Sequence, residues 1–139
     1  MRFFFYGTLR DGAVRRLVLG RALPDDEAIP AVLEGYRIAR VRGADYPVLR
    51  RDPTASAGGV VFGGLSHGEA ERLDRYEGGQ YLRRELTLRA RTGEPMSAWV
   101  YLPRGRVPVD SRPWDFEGWL RDERAAFLHS IAGLRAAGR

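Results

Sequence analysis

The first nine residues constrain this chain most. Phe3-Phe4-Phe5-Tyr6 is an unbroken apolar run that stops abruptly at Gly7-Thr8-Leu9. Aromatic and apolar residues in such a run fit a strand at or near the centre of a sheet. A glycine at the strand end predicts a turn in which backbone comes close to something. Side chains do not crowd such a turn, so its N–H groups can face an anion. The plainer reading is a first strand followed by an ordinary turn.

A second signal lies between Ser66 and Gly79. Ser66 and Glu69 have the spacing of a capping box, and Gly78-Gly79 supply a helix stop. The segment between them reads as a short helix. Ala70, Leu73 and Glu77 share one face of it, and Ala70 and Leu73 mark that face as the buried one. Glu77 is thus aimed inward from the last turn. Burial and the negative end of the helix dipole both disfavour its charged form, so its pKa is expected to rise. Two readings fit: a general acid/base poised near neutral pH, or a partly exposed glutamate paired with an arginine.

The residue inventory removes whole chemistries. There are no cysteines, hence no thiol nucleophile, disulfide or thiolate metal site. All 23 basic residues are Arg, which excludes a lysine Schiff base or a P-loop lysine. The two histidines, His67 and His129, lack metal-ligand spacing. No serine sits in G-x-S-x-G, and no G-x-G-x-x-G follows a strand. Any catalysis therefore falls to carboxylates, tyrosines and backbone dipoles. The net charge of +5 suggests nucleic acid at first sight. The arginines, however, are scattered among 18 acids, so no nucleic-acid partner is expected. No apolar run approaches a membrane span, and the start lacks the pattern of a signal peptide, so a cytoplasmic protein without a membrane partner is expected.

At 139 residues the chain suits one domain. A short helix is expected over Ala13–Leu19, with Leu17 and Val18 on its apolar side. Strand-like runs follow over Ala28–Val41, over Asp45–Leu49 after a turn at Gly43, and over Gly58–Leu65, with a turn at Asp52-Pro53-Thr54. After the capped helix, Tyr81–Arg91 alternates like a half-buried strand, and Ser97–Leu102 is its antiparallel partner. In that alternation Arg84, rather than Arg83, falls with the apolar set. Residues 104–113 read as a linker. A C-terminal helix starting near Asp115 carries Phe116, Trp119, Phe127 and Ile131, and the tail from Leu134 reads as frayed. Many short strands with one central and one terminal helix argue for an α+β fold, with a mixed or antiparallel sheet curled into a small barrel with flanking helices.

The chain resembles the γ-glutamyl cyclotransferase-like superfamily, in particular its short AIG2-like members. The resemblance rests on Tyr6-Gly7-Thr8-Leu9, Tyr46-Pro47, Gly59-Val60-Val61, Leu73-Asp74-Arg75-Tyr76-Glu77-Gly78, Tyr81-Leu82-Arg83 and Trp99-Val100-Tyr101. It covers residues 3 to 103, so the barrel domain is expected over residues 1–103, with residues 104–139 as linker and helix packed on it. The resemblance implies a cavity at one end of a mixed barrel. It implies an intramolecular reaction, in which the α-amine of a γ-glutamyl group attacks its own γ-carbonyl and releases 5-oxoproline and an amine, with no cofactor or metal. Glu77 matches the family's catalytic glutamate, and the Gly7-Thr8-Leu9 turn its anion seat. Tyr6 would wall the cavity or orient substrate. Tyr81 and Tyr101 match family tyrosines, each either holding substrate or the developing oxyanion, or serving as a core aromatic with a satisfied hydroxyl. Arg10 reads as exposed. The expected partner is a small γ-glutamyl compound. The alternative is a non-catalytic binding protein of the same fold. The acidic stretch Asp25-Asp26-Glu27 hints at a cationic leaving amine. The oligomeric state is open.

Overall fold

The computed structural model describes residues 1–136, with side chains through Ile131, and its five strands close into a barrel ordered β1-β3-β2-β4-β5. The strands are β1 (Phe3–Phe5), β2 (Ile29–Arg40), β3 (Pro47–Phe62), β4 (Tyr81–Ala90) and β5 (Pro95–Pro103). Four helices flank them: α1 (Gly12–Leu19), α2 (His67–Glu77), α3 (Phe116–Asp122) and α4 (Arg124–Ala136). Every pairing is antiparallel except the closing one, where β1 lies parallel to β5 at Phe3 opposite Trp99. This is the α+β mixed barrel expected from the sequence.

The run of three phenylalanines is explained by what covers β1. Phe4 belongs to the barrel interior, with Leu33 of β2, Val61 of β3, Leu88 of β4 and Val100 of β5. Phe3 and Phe5 face outward, into a second cluster with Leu9, Val14, Leu73 and Trp119. A strand buried on both faces needs no polar alternation. Closure also brings backbone close at one point. A Cβ on Gly59 would lie 2.4 Å from the Phe5 carbonyl oxygen and 2.8 Å from the Phe4 ring.

Several local expectations change. Asp52-Pro53-Thr54 does not end a strand. It sits inside β3, where residues 52–55 find no partner between the pairs Tyr36–Arg51 and Glu34–Ser56. The turn chemistry is present, with Thr54 N–H donating to Asp52 Oδ1 (3.0 Å), but it makes an irregularity in a long hairpin. The single C-terminal helix is two, α3 and α4, interrupted at Glu123. The frayed tail expected from Leu134 meets a helix that runs to Ala136, and residues 137–139 lie outside the described residues. Arg84 is exposed, while Arg83 is half-buried. Arg84 does fall on the face of the apolar set, opposite Val100, yet it is exposed, so the face alone did not decide burial. Arg83 pairs in register with Tyr101, on the face that α2 covers.

The C-terminal elements pack on the barrel. Trp119 is fully buried, and Trp114 Nε1–H donates to the Asp45 carbonyl (2.9 Å). Two ion pairs hold the start of α4. Arg40 donates to both oxygens of Glu123 (3.1 and 3.0 Å), and Arg124 Nε–H donates to Asp11 Oδ1 (2.8 Å). Among the described residues no helix is long and apolar enough to cross a membrane.

Candidate active site

The turn after β1 is shaped from below by a buried arginine. Arg15, 1% exposed, donates to the carbonyl oxygens of Leu9 (3.2 Å), Arg10 (2.7 Å) and Leu23 (2.9 Å) and pairs with Asp25. It also lies over the Phe62 ring, 4.4 Å from the centroid. A guanidinium that gathers carbonyls on one side of a turn leaves the N–H groups to the other side. Among the described residues, the N–H groups of Gly7, Thr8 and Leu9 donate to no protein oxygen, whereas those of Arg10 and Asp11 close the turn onto Gly7 and Thr8. Gly7 sits at a close approach: an added Cβ would lie 3.0 Å from Pro47 Cγ, and the proline ring would have to shift. What comes near this glycine from the protein is thus the Pro47 ring. Arg10, expected to be exposed, is half-buried with its guanidinium 4.5 Å from the Phe116 ring centroid.

Helix α2 carries two glutamates in opposite settings. At its N-terminus the capping box forms as expected, and Glu69 also accepts from Arg21. The Arg21 hydrogen bond and the cap hold the Glu69 carboxyl down at about 2. At the C-terminus Glu77 has no hydrogen bond or ion pair among the described residues. Burial first, and the Asp74 charge second, push its carboxyl up to about 8. Of the two readings open in the sequence, the arginine-paired glutamate is absent.

Four phenols surround this carboxyl electrostatically: Tyr6, Tyr76, Tyr81 and Tyr101. Burial raises each above the usual phenol value, and the Glu77 charge adds to it. Three commit their protons to hydrogen bonds. Tyr6 donates to the Tyr101 carbonyl (2.7 Å), Tyr81 to the Pro47 carbonyl (2.8 Å) and Tyr101 to Asp74 Oδ1 (2.6 Å). A phenol whose proton is committed meets further ligands as an acceptor, so these arrangements do not supply the oxyanion donors expected of Tyr81 and Tyr101. Thr8 and Tyr76 share one bond (2.6 Å) in which either is donor, and the accepting hydroxyl keeps its own proton. Behind Tyr101, Arg83 Nε–H donates to Asp74 (3.0 Å) and its guanidinium lies 4.6 Å from the Trp99 ring centroid.

These groups line one cavity of about 1190 Å³. Tyr6, Gly7, Thr8, Leu9, Glu77, Tyr81 and Tyr101 are all on its wall. Sequence reasoning missed Tyr76, Asp45 and the α4 side chains Ala126, Phe127, Ser130 and Ile131, which also line it. Tyr76 stood inside the recognised motif. Nothing in the spacing of α4 could reveal where that helix docks. Leu17 and Val18 lie on the cavity wall too, while Val14 and Leu19 form the buried side of α1. Asp25-Asp26-Glu27 is not on the cavity lining, and Asp25 pairs with Arg15. No cluster of three or more metal-ligating side chains occurs among the described residues.

Comparison with known proteins shows the family and the fold. The family model described as gamma-glutamyl cyclotransferase, AIG2-like, matches residues 3–121, extending past the 3–103 span readable by eye. AIG2-like protein C of Arabidopsis thaliana is 30% identical over 127 residues, covering 90% of this chain and 72% of that protein. A solution structure of an Arabidopsis thaliana protein superposes with a TM-score of 0.68 at 25% identity, over 99% of this chain and 92% of the other. A gamma-glutamyl cyclotransferase structure superposes with a TM-score of 0.61 over 95% of this chain and 86% of its own. At 13% identity that likeness speaks for the fold alone. The chain belongs to the gamma-glutamyl cyclotransferase, AIG2-like family.

Proposed function

We propose that this protein is a γ-glutamyl cyclotransferase-type enzyme that releases 5-oxoproline and an amine, with Glu77 as general acid and base. The observation that carries this reading is Glu77 itself: a carboxyl on the cavity wall, without a protein partner among the described residues, raised to about 8. A base of that strength can take a proton from an α-ammonium, whose ordinary pKa is about 8, with little uphill cost.

The steps follow from the wall. The substrate α-carboxylate sits on the N–H groups of the Gly7-Thr8-Leu9 turn. The phenol oxygens of Tyr6, Tyr81 and Tyr101, as acceptors, suit the α-ammonium. Glu77 takes one ammonium proton, and the freed amine attacks the γ-carbonyl carbon, closing a five-membered ring. The uncommitted proton of the Thr8–Tyr76 pair is available to the oxyanion. Collapse breaks the bond to the leaving amine, which departs with the proton held by Glu77. The attacking nitrogen starts with three protons and ends with one: the first reaches the leaving nitrogen through Glu77, the second passes from the ring nitrogen to water, and the carboxylate is restored. Holding amine and carbonyl in attack geometry is a large part of the rate.

Incubating the protein with a set of γ-glutamyl amides and measuring 5-oxoproline tests this. Release from at least one member supports the proposal. Saturable binding of those amides without any release contradicts it and leaves a binding protein of the same fold.

A further inference from the structure

The cavity is larger than a γ-glutamyl group needs, and its lining is mixed in character. Glu77, the tyrosines and the turn after β1 supply its polar part. On the side of α1 and α4 the lining includes the apolar Val18, Phe127 and Ile131. Phe127 is not a loose side chain. Its ring meets the fully buried Trp119 edge-on, with centroids 5.5 Å apart. The ion pairs at Glu123 and Arg124 fix the helix just before it. This wall is therefore preorganised rather than assembled by a ligand.

The charges on the cavity argue against a cationic occupant on that side. Arg72 and Arg75 lie on its lining, and Arg75 has no ion-pair partner among the described residues. The acids on the lining are Glu77, committed to the γ-glutamyl end, and Asp45, whose carboxyl is itself pushed up by burial. The acidic stretch that hinted at a cationic amine is turned away, with Asp25 held by Arg15.

We propose that the amine released by this enzyme is an apolar one, its aliphatic or aromatic body seated between Val18 of α1 and Phe127 and Ile131 of α4. This rests on the cyclotransferase reading for the placement of the γ-glutamyl group. Burying a chain of methylenes in such a pocket discriminates modestly for each carbon, and the sum over a chain is measurable.

The test uses γ-glutamyl-pentylamide, γ-glutamyl-(4-aminobutyl)amide and γ-glutamyl-methylamide. The first two have equal length and differ by a methyl against an ammonium. Binding is measured by calorimetry on the full chain carrying Glu77→Gln, so that affinity is read without turnover. Release of 5-oxoproline is measured on the wild type. The pentylamide is expected to bind at least about tenfold more tightly than either other amide. Phe127→Ala or Ile131→Ser should shrink that difference by weakening pentylamide binding more than methylamide binding. Ile131→Ser carries the test if Phe127→Ala fails to fold. Equal affinities, or preference for the aminobutyl amide, overturn the inference even if the wild type releases 5-oxoproline from all three. Preference for the pentylamide with no release by the wild type upholds the apolar subsite and overturns the catalytic reading. Absence of binding by all three overturns both.

Discussion

Asp74 and Glu77 stand one turn apart on α2 and have opposite surroundings: Asp74 accepts from Tyr101 and Arg83, and Glu77 accepts from nothing among the described residues. The charge of the first raises the proton affinity of the second. As a base, Glu77 works in its ionised form, so turnover is expected to rise with pH through about 8. Asp74→Asn keeps an acceptor for Tyr101 and removes the charge. The midpoint of the kcat–pH profile should move to lower pH, by up to about one unit because Asp74 is partly exposed. An unmoved midpoint would show that Asp74 does not set it.

The same carboxyl makes stability depend on pH. Its folded-state value, about 8, lies above the ordinary 4.5, so the folded protein holds this proton more tightly than the unfolded chain does. Its contribution is complete below about pH 4.5 and is lost as pH rises through about 8. Glu77→Gln has no such loss. Urea denaturation should find that variant more stable than wild type at pH 9, by about 2–4 kcal/mol, with the gap closing toward pH 4.5.

Arg15 supports the Gly7-Thr8-Leu9 turn and is not on the cavity lining. Arg15→Met removes its bonds to the carbonyls of Leu9, Arg10 and Leu23. Unfolding free energy should fall by about 3 kcal/mol, and KM for a γ-glutamyl substrate should rise more than kcat falls. An unchanged KM in the folded variant would mean that the turn holds its shape without the guanidinium.

Gly59→Ala is expected to be far more damaging than an ordinary glycine replacement. Its new methyl group would collide with the Phe5 carbonyl at the β1–β3 seam, which is backbone and cannot swing aside. A loss of at least about 3 kcal/mol in urea unfolding is predicted. Gly58→Ala, with open space around it, serves as the control.

What could be read from the sequence was what local chemistry encodes. The capping box and glycine stop delimit α2 within a residue, and the face shared by Ala70, Leu73 and Glu77 aims the carboxyl inward. The β4–β5 hairpin follows from period-two alternation on either side of Thr92-Gly93-Glu94-Pro95. What could not be read depends on contacts between distant segments. The half-burial of Arg83 could not be read, because nothing local tells that α2 covers its strand face. The committed phenol protons depend on carbonyls 34 and 95 residues away. The α4 wall depends on Arg124 reaching Asp11 across 113 residues.

The most direct test compares wild type with Glu77→Gln for 5-oxoproline release from γ-glutamyl amides. The substitution keeps the side chain's size, and the circular dichroism spectrum should not change. Release by wild type with a loss of about 100-fold or more in the variant is the predicted result. A folded Glu77→Gln protein that releases 5-oxoproline at the wild-type rate would contradict the account.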